Sequence, residues 1–231
     1  MLVNLLLIML SLAAFALTIW AQFRVKGSFK TWSSYQASSG ATGAEVARHI
    51  LDRNGLRDVP VEPVPGSLSD HYDPISRAVR LSEPVYYGHS VASVSVAAHE
   101  CGHALQHKES YGALVLRHRM FPVVNFTSGV APFLLLAGFI FKAMGLMLVG
   151  IIFFSVAVAF QLVTLPVEFN ASSRAKQILV SDGFIRSHEE EHGVNKVLNA
   201  AALTYVAAAL YSVMELLRFV FMFLGSSSDD D

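Results

Sequence analysis

Four stretches of this 231-residue chain are too long and too apolar for an ordinary soluble core. They cover residues 2–20, 123–141, 145–165 and 200–224. About 20 helical residues cross the roughly 30 Å of hydrocarbon in a bilayer. A backbone in lipid must satisfy its own hydrogen bonds, so each stretch is expected as a helix. Composition agrees, with 53% hydrophobic and 15% charged residues. The first stretch has neither a basic lead nor a convincing small-residue cleavage site. It reads as a retained anchor, with Trp20 at the interface and Arg24, Lys26 and Lys30 beyond it. The second and third divide at Phe141-Lys142-Ala143-Met144, because one bent helix would put Lys142 at mid-membrane. Leu165-Pro166 is expected to close the third. Glu215 and Arg218 stand three apart in the fourth and are placed to pair within it.

Charge gives an orientation. Of 17 Lys and Arg residues, 11 lie between residues 21 and 122 and 4 between 166 and 199. With four spans both polar segments share one side, which the positive-inside rule makes cytoplasmic. The expectation is a multi-pass protein of the cell (inner) membrane. Net charge is −1, and no basic run suggests nucleic acid. The single cysteine, Cys101, excludes an internal disulfide. It reads as a small packing residue.

The polar segments carry local signals. Ser33–Gly43 reads as a linker, and Thr42-Gly-Ala-Glu45 is a capping-box pattern opening a helix that ends before Gly55. Residues 58–66, with three prolines, suggest a short edge strand. Asp70–Pro74 reads as a turn and Ala78–Leu81 as a second strand. A helix then begins near His89 or Ser90. Ser187-His-Glu-Glu190 offers another capping box, and Glu189–Glu191 reads as a solvated first helical turn.

The helix after Ser90 contains His99-Glu100-Cys101-Gly102-His103. Four residues advance a helix by slightly more than one turn, so both imidazoles share a face and can take two corners of a tetrahedral zinc. Glu100 is placed beside a metal-bound water, where a carboxylate can accept a proton. This is the spacing of a zinc hydrolase. A catalytic site needs a third ligand and an open position. His107 continues the face but lies about 12 Å from His99 along an unbroken helix. Glu168, directly after the third apolar stretch, is the better candidate, read as opening a second helix. Asp182 is the rival.

His99-Glu-Cys-Gly-His103 with Glu168-x-x-Ala171-Ser172-x-x-Ala175 resembles the gluzincin metallopeptidases, including the CaaX prenyl proteases and the bacterial membrane heat-shock protease. It is more similar to the bacterial family of neutral zinc metallopeptidases of the membrane. The segments Leu68–Pro74, Arg80–Ser82, Val96–Glu100, Leu165–Ser172 and Val197–Ala201 carry that resemblance over nearly the whole chain. It implies zinc on His99, His103 and Glu168, with Glu100 as general base and acid. The wider gluzincin pattern has an Asp where this chain has Ser172, so a hydroxyl would take the place of a carboxylate beside an imidazole. His71, Tyr72 and His107 are candidate oxyanion donors; the plainer reading is that His71 and Asp73 brace a turn. His49, His89, His118, His188 and His192 lack a motif.

The expected fold is a mostly α integral membrane protein with about four transmembrane helices and a small α+β zincin-like catalytic domain. Its parts are an anchor (1–22), a cytoplasmic domain with the metal helix (23–122), a transmembrane hairpin (123–165), the remainder of the catalytic domain (166–199), a last span (200–224) and a tail (225–231). The expected activity is hydrolysis of a peptide or protein substrate by a zinc endopeptidase. An inactive or metal-sensing membrane scaffold is one alternative. An intramembrane protease using Asp182 is a weaker one, since five residues before His99 are too few to bury it at mid-membrane.

Overall fold

In the computed structural model, residues 2–227 are described, and side-chain surroundings for residues 5–225. The acidic end of the tail, 228–231, lies outside the described residues. The first helix, α1 (Leu2–Ser33), runs on past the basic residues that follow the apolar stretch. Among the described residues, four helices are long and apolar enough to cross a membrane: Leu5–Ser33, Gly112–Ile140, Met144–Ser181 and His188–Gly225. The helices and the small sheet divide into two compact units. One comprises the chain up to Ala21, Val115–Leu165 and the chain from Thr204; the other comprises Gln22–Leu114 and Pro166–Leu203.

The second unit holds all the strands. Its helix α2 (Gly43–Arg53) opens on Thr42, whose hydroxyl accepts from Glu45 N–H while the Glu45 carboxylate accepts from Thr42 N–H. That is the reciprocal cap the Thr-x-x-Glu spacing predicts. Gly55 follows with φ +68°, which costs glycine nothing. Strand β1 (Val61–Val64) is an edge strand, as its prolines require. It pairs in parallel with β3 (Ala78–Ser82), which forms an antiparallel ladder with β2 (His71–Asp73), in the order β1-β3-β2.

β2 corrects the reading of Asp70–Pro74 as a turn. His71, Tyr72 and Asp73 face Arg80, Val79 and Ala78 across the ladder, so the reversal falls on residues 74–77. Asp73 closes that reversal, accepting from Ile75 N–H and the Ser76 hydroxyl and from Arg80 at 2.6 Å. These bonds hold its carboxyl well below the usual carboxylate range. Asp70 is turned to Ser82 instead, accepting from its N–H at 2.7 Å.

After a single turn, α3 (Glu83–Tyr86), the chain enters α4 (Val91–Lys108), capped by Ser90 as its hydroxyl accepts from Ser93 N–H. Small residues make α4 an interior helix. Ala97, Ala98, Cys101 and Ala104 are buried, and the Cys101 thiol points at the Ala47 carbonyl of α2, 3.6 Å away. Burial pushes that thiol well above its ordinary pKa, as befits a packing residue.

Helix α5 (Gly112–Ile140) begins eleven residues before the apolar stretch and contains Pro122 and Pro132. The chain breaks at Phe141–Ala143, where Lys142 takes φ +50°, before α6 (Met144–Ser181). Here the expectation fails. Leu165-Pro166 does not end the helix, and Glu168 lies inside α6 rather than opening a new one. Pro166 leaves one carbonyl, that of Leu162, without its N–H and costs about 3 kcal/mol. Ending the helix in an apolar stretch would strand up to four carbonyls, which is worse.

The last helix, α7 (His188–Ser227), is likewise continuous from the polar segment into the apolar one. Its capping box forms as predicted, between Ser187 and Glu190. Glu190 is not solvated, however. It is buried, and also accepts from Ser38 N–H and the Ser38 hydroxyl, 152 residues away. In the other unit Leu135, Met147 and Ile151 form a small core with Phe154 and Phe219, and Arg218 pairs with Glu215.

Gly102 of α4 packs closely against α6. A Cβ there would stand 2.8 Å from the Ala171 carbonyl oxygen and 3.1 Å from Ala171 Cα, both backbone atoms. We expect Gly102→Ala to force the two helices apart and destabilise the protein by about 1–3 kcal/mol. Thermal unfolding in detergent, compared with Ala104→Gly on the same helix, measures this.

Candidate metal centre

The close approach at Gly102 sets three side chains against one another. His99 and His103 stand one turn apart on α4, and Glu168 comes from α6. One ligand atom of each lies within 4.8 Å of the others. Glu168 Oε2 is 3.3 Å from His99 Nε2 and 3.6 Å from His103 Nε2. A tetrahedral zinc with bonds of about 2.0–2.2 Å has ligand atoms roughly 3.3–3.6 Å apart. Two imidazoles and a carboxylate are also a donor set suited to zinc, so these residues fit the ion.

The opposite ring nitrogens are tied down, which decides the tautomers. His103 Nδ1 is 3.0 Å from Gln106 Oε1. The amide nitrogen of Gln106 donates to the Val167 carbonyl at 2.8 Å and to Asn170 Oδ1 at 2.9 Å. Its oxygen must then be the acceptor, so Nδ1 of His103 carries the hydrogen and Nε2 keeps its lone pair. Ser172 Oγ stands 3.2 Å from His99 Nδ1 and can accept from it in the same way. The network continues outward: Arg174 donates to Asn170 Oδ1 at 2.8 Å and pairs with Glu109 at 2.7 Å. Burial opposes a positive charge on His103, but the carboxylates of Glu168 and Glu100 outweigh it and raise its pKa.

Glu100 points to the sheet. Its Oε2 accepts from the Tyr72 N–H of β2 at 3.0 Å, and the carboxylate is almost wholly buried. The Tyr72 hydroxyl lies 2.8 Å from His107 Nδ1, which turns His107 toward β2 rather than into the His99–His103–Glu168 group. His71 spends Nδ1 on the Ser69 carbonyl at 2.8 Å, local bracing of its own loop. Asp182 is held by His49 at 3.0 Å and Arg53 at 2.9 Å and takes no part in the group. Gln106 and Asn170 were missed as site residues. The only signal for Gln106 was its place three residues after His103, a spacing any helix supplies many times.

Comparison with known proteins bears on the same residues. A family model described as "Putative neutral zinc metallopeptidase" matches residues 7–224. This chain belongs to that family. A Bacillus subtilis (strain 168) relative named "Putative membrane protease YugP" is 67% identical over 225 residues, covering 97% of this chain and 100% of the relative. No solved structure matches. The family description names zinc, and His99, His103 and Glu168 are a group in this member that could hold it.

Gln106 connects His103 to the helix that carries Glu168, so its loss should reach the metal. We expect Gln106→Leu to weaken zinc binding about 10–100-fold. Asp182→Ala should leave zinc affinity unchanged. Competition with a chromophoric chelator on the purified proteins reads both.

Proposed function

We propose that this protein is a membrane-embedded zinc endopeptidase whose catalytic group faces the cytoplasm. The observation that carries the reading is the convergence of His99, His103 and Glu168 beside a buried Glu100. Those three residues would hold the zinc, which would supply Lewis-acid chemistry toward a peptide carbonyl and a lowered pKa for a water. Glu100 is the general base. With Oε2 engaged by the Tyr72 N–H, the proton transfer is assigned to Oε1. Glu100 accepts the proton from the attacking water and returns it to the leaving amine. Ser172 and Gln106 hold the imidazoles in register. A hydroxyl at Ser172 orients His99 without adding a charge, so the site depends on Glu168 and Glu100 for its negative field.

Of the three expected oxyanion donors, Tyr72 is the one whose backbone N–H also holds Glu100. The cytoplasmic orientation rests on the basic residues of 21–122 and 166–199. The competing reading is a zinc-binding membrane scaffold without catalysis, and it is separated by one substitution. Glu100→Gln removes the base and no ligand. We expect it to retain zinc and lose hydrolysis of an unfolded casein-like substrate by at least about 100-fold. Zinc content and cleavage should be measured on one preparation. Full activity in that variant would remove Glu100 from the mechanism, and a wild type loaded with zinc but inert would favour the scaffold.

Orientation has its own test. In a background where buried Cys101 is replaced by Ala, a cysteine at position 143 should react with an impermeant reagent added to intact cells. A cysteine at position 58 should not. The reverse pattern would turn the protein over in the membrane.

A further inference from the structure

Beside α4 lies a cavity of about 430 Å³ that the catalytic reading does not use. Tyr72 joins the two, because its N–H holds Glu100 while the residue also lines the cavity. Ala104 and His107 continue the wall along the helix. Ala104 is one turn beyond Glu100 on the same face, and His107 about 10 Å beyond it along the axis. An extended peptide advances about 3.3 Å per residue and covers that distance in about three residues.

The cavity is cationic. Arg77 and Lys108 both line it, and among the described lining residues Asp58 is the one acid. The Lys108 ammonium is anchored by the Asn54 carbonyl, a neutral acceptor that fixes the charge in place without cancelling it. Arg77 sits at φ +51°, in the reversal between β2 and β3 where glycine would be free of strain. Ser110, also on the wall, has φ +53°. Burial and the Arg77 charge together depress the pKa of His107.

We propose that this cavity is a substrate subsite that takes a carboxylate, an Asp or Glu side chain about three residues from the scissile bond. The inference rests on the peptidase reading above. Arg77 and Lys108 are its specificity residues and Tyr72 its boundary with the catalytic group.

The test uses the full-length, zinc-loaded protein in detergent and a fluorogenic peptide series in which a single Glu, or its isostere Gln, is moved through each position on both sides of the cleaved bond. Glu should be preferred over Gln at one position about three residues from that bond, roughly threefold to tenfold in kcat/KM and mainly through KM. The ratio should collapse toward one in both Arg77→Asn and Lys108→Gln. Asparagine tolerates positive φ, and zinc content checks that each variant is folded. Cleavage with no Glu preference anywhere would overturn the subsite and leave the peptidase reading standing. A preference that survives in both variants would overturn its assignment to this cavity. Absence of chelator-sensitive cleavage of any peptide would overturn the peptidase reading and the subsite with it.

Discussion

The site depends on how closely α4 and α6 approach at Gly102 and Ala171. A glycine on one helix lets its backbone meet the backbone of the other, and only at that separation does a Glu168 oxygen come within 3.6 Å of both imidazoles. A side chain at position 102 would push the carboxylate away from the nitrogens. The same approach brings Gln106 within hydrogen-bonding distance of Val167 and Asn170. One contact therefore decides both whether three donors converge and whether the histidines hold the tautomer that leaves Nε2 to face them.

Around that contact the buried polar groups form one connected system. His103, Gln106, Asn170, Arg174 and Glu109 are linked in sequence from the interior to the surface, and His99 has Ser172. Such chains are stable when every member is satisfied and costly when one is not. Glu100 belongs to a different element pair, held by the strand β2 through Tyr72. Glu100 and the His99–His103–Glu168 group are thus positioned by independent contacts. Tyr72 also borders the cationic cavity, so one residue of β2 connects Glu100, His107 and that cavity.

Signals confined to a few neighbouring residues were legible in the sequence. The four apolar helices follow from length and hydropathy, since a backbone in lipid has few alternatives. Thr42-x-x-Glu45 and Ser187-x-x-Glu190 became caps because both partners of each bond lie within one turn. His99 and His103 share a face by the geometry of any helix. Ser172 beside His99 and Glu168 beside both imidazoles were also anticipated, on the pattern of a resemblance rather than from spacing alone.

What the sequence could not decide involves partners far apart in the chain or a balance between local rules. Pro166 reads as a helix stop by local preference, yet the cost of a helix end in an apolar stretch keeps α6 intact and makes Glu168 an interior helical residue. Glu190 looks solvated until Ser38 is placed beside it, and Asp182 looks available until His49 and Arg53 close on it. Gln106 is an ordinary helical glutamine by sequence; only the packing of α6 gives its amide two acceptors and so turns its oxygen toward His103. The sequence by itself determined the apolar helical stretches, the caps and the pair of histidines, because those depend on hydropathy or on bonds within a turn or two. The tertiary structure alone decided which buried polar groups meet, because hydrogen bonds between distant segments exist only once the backbones have come into contact.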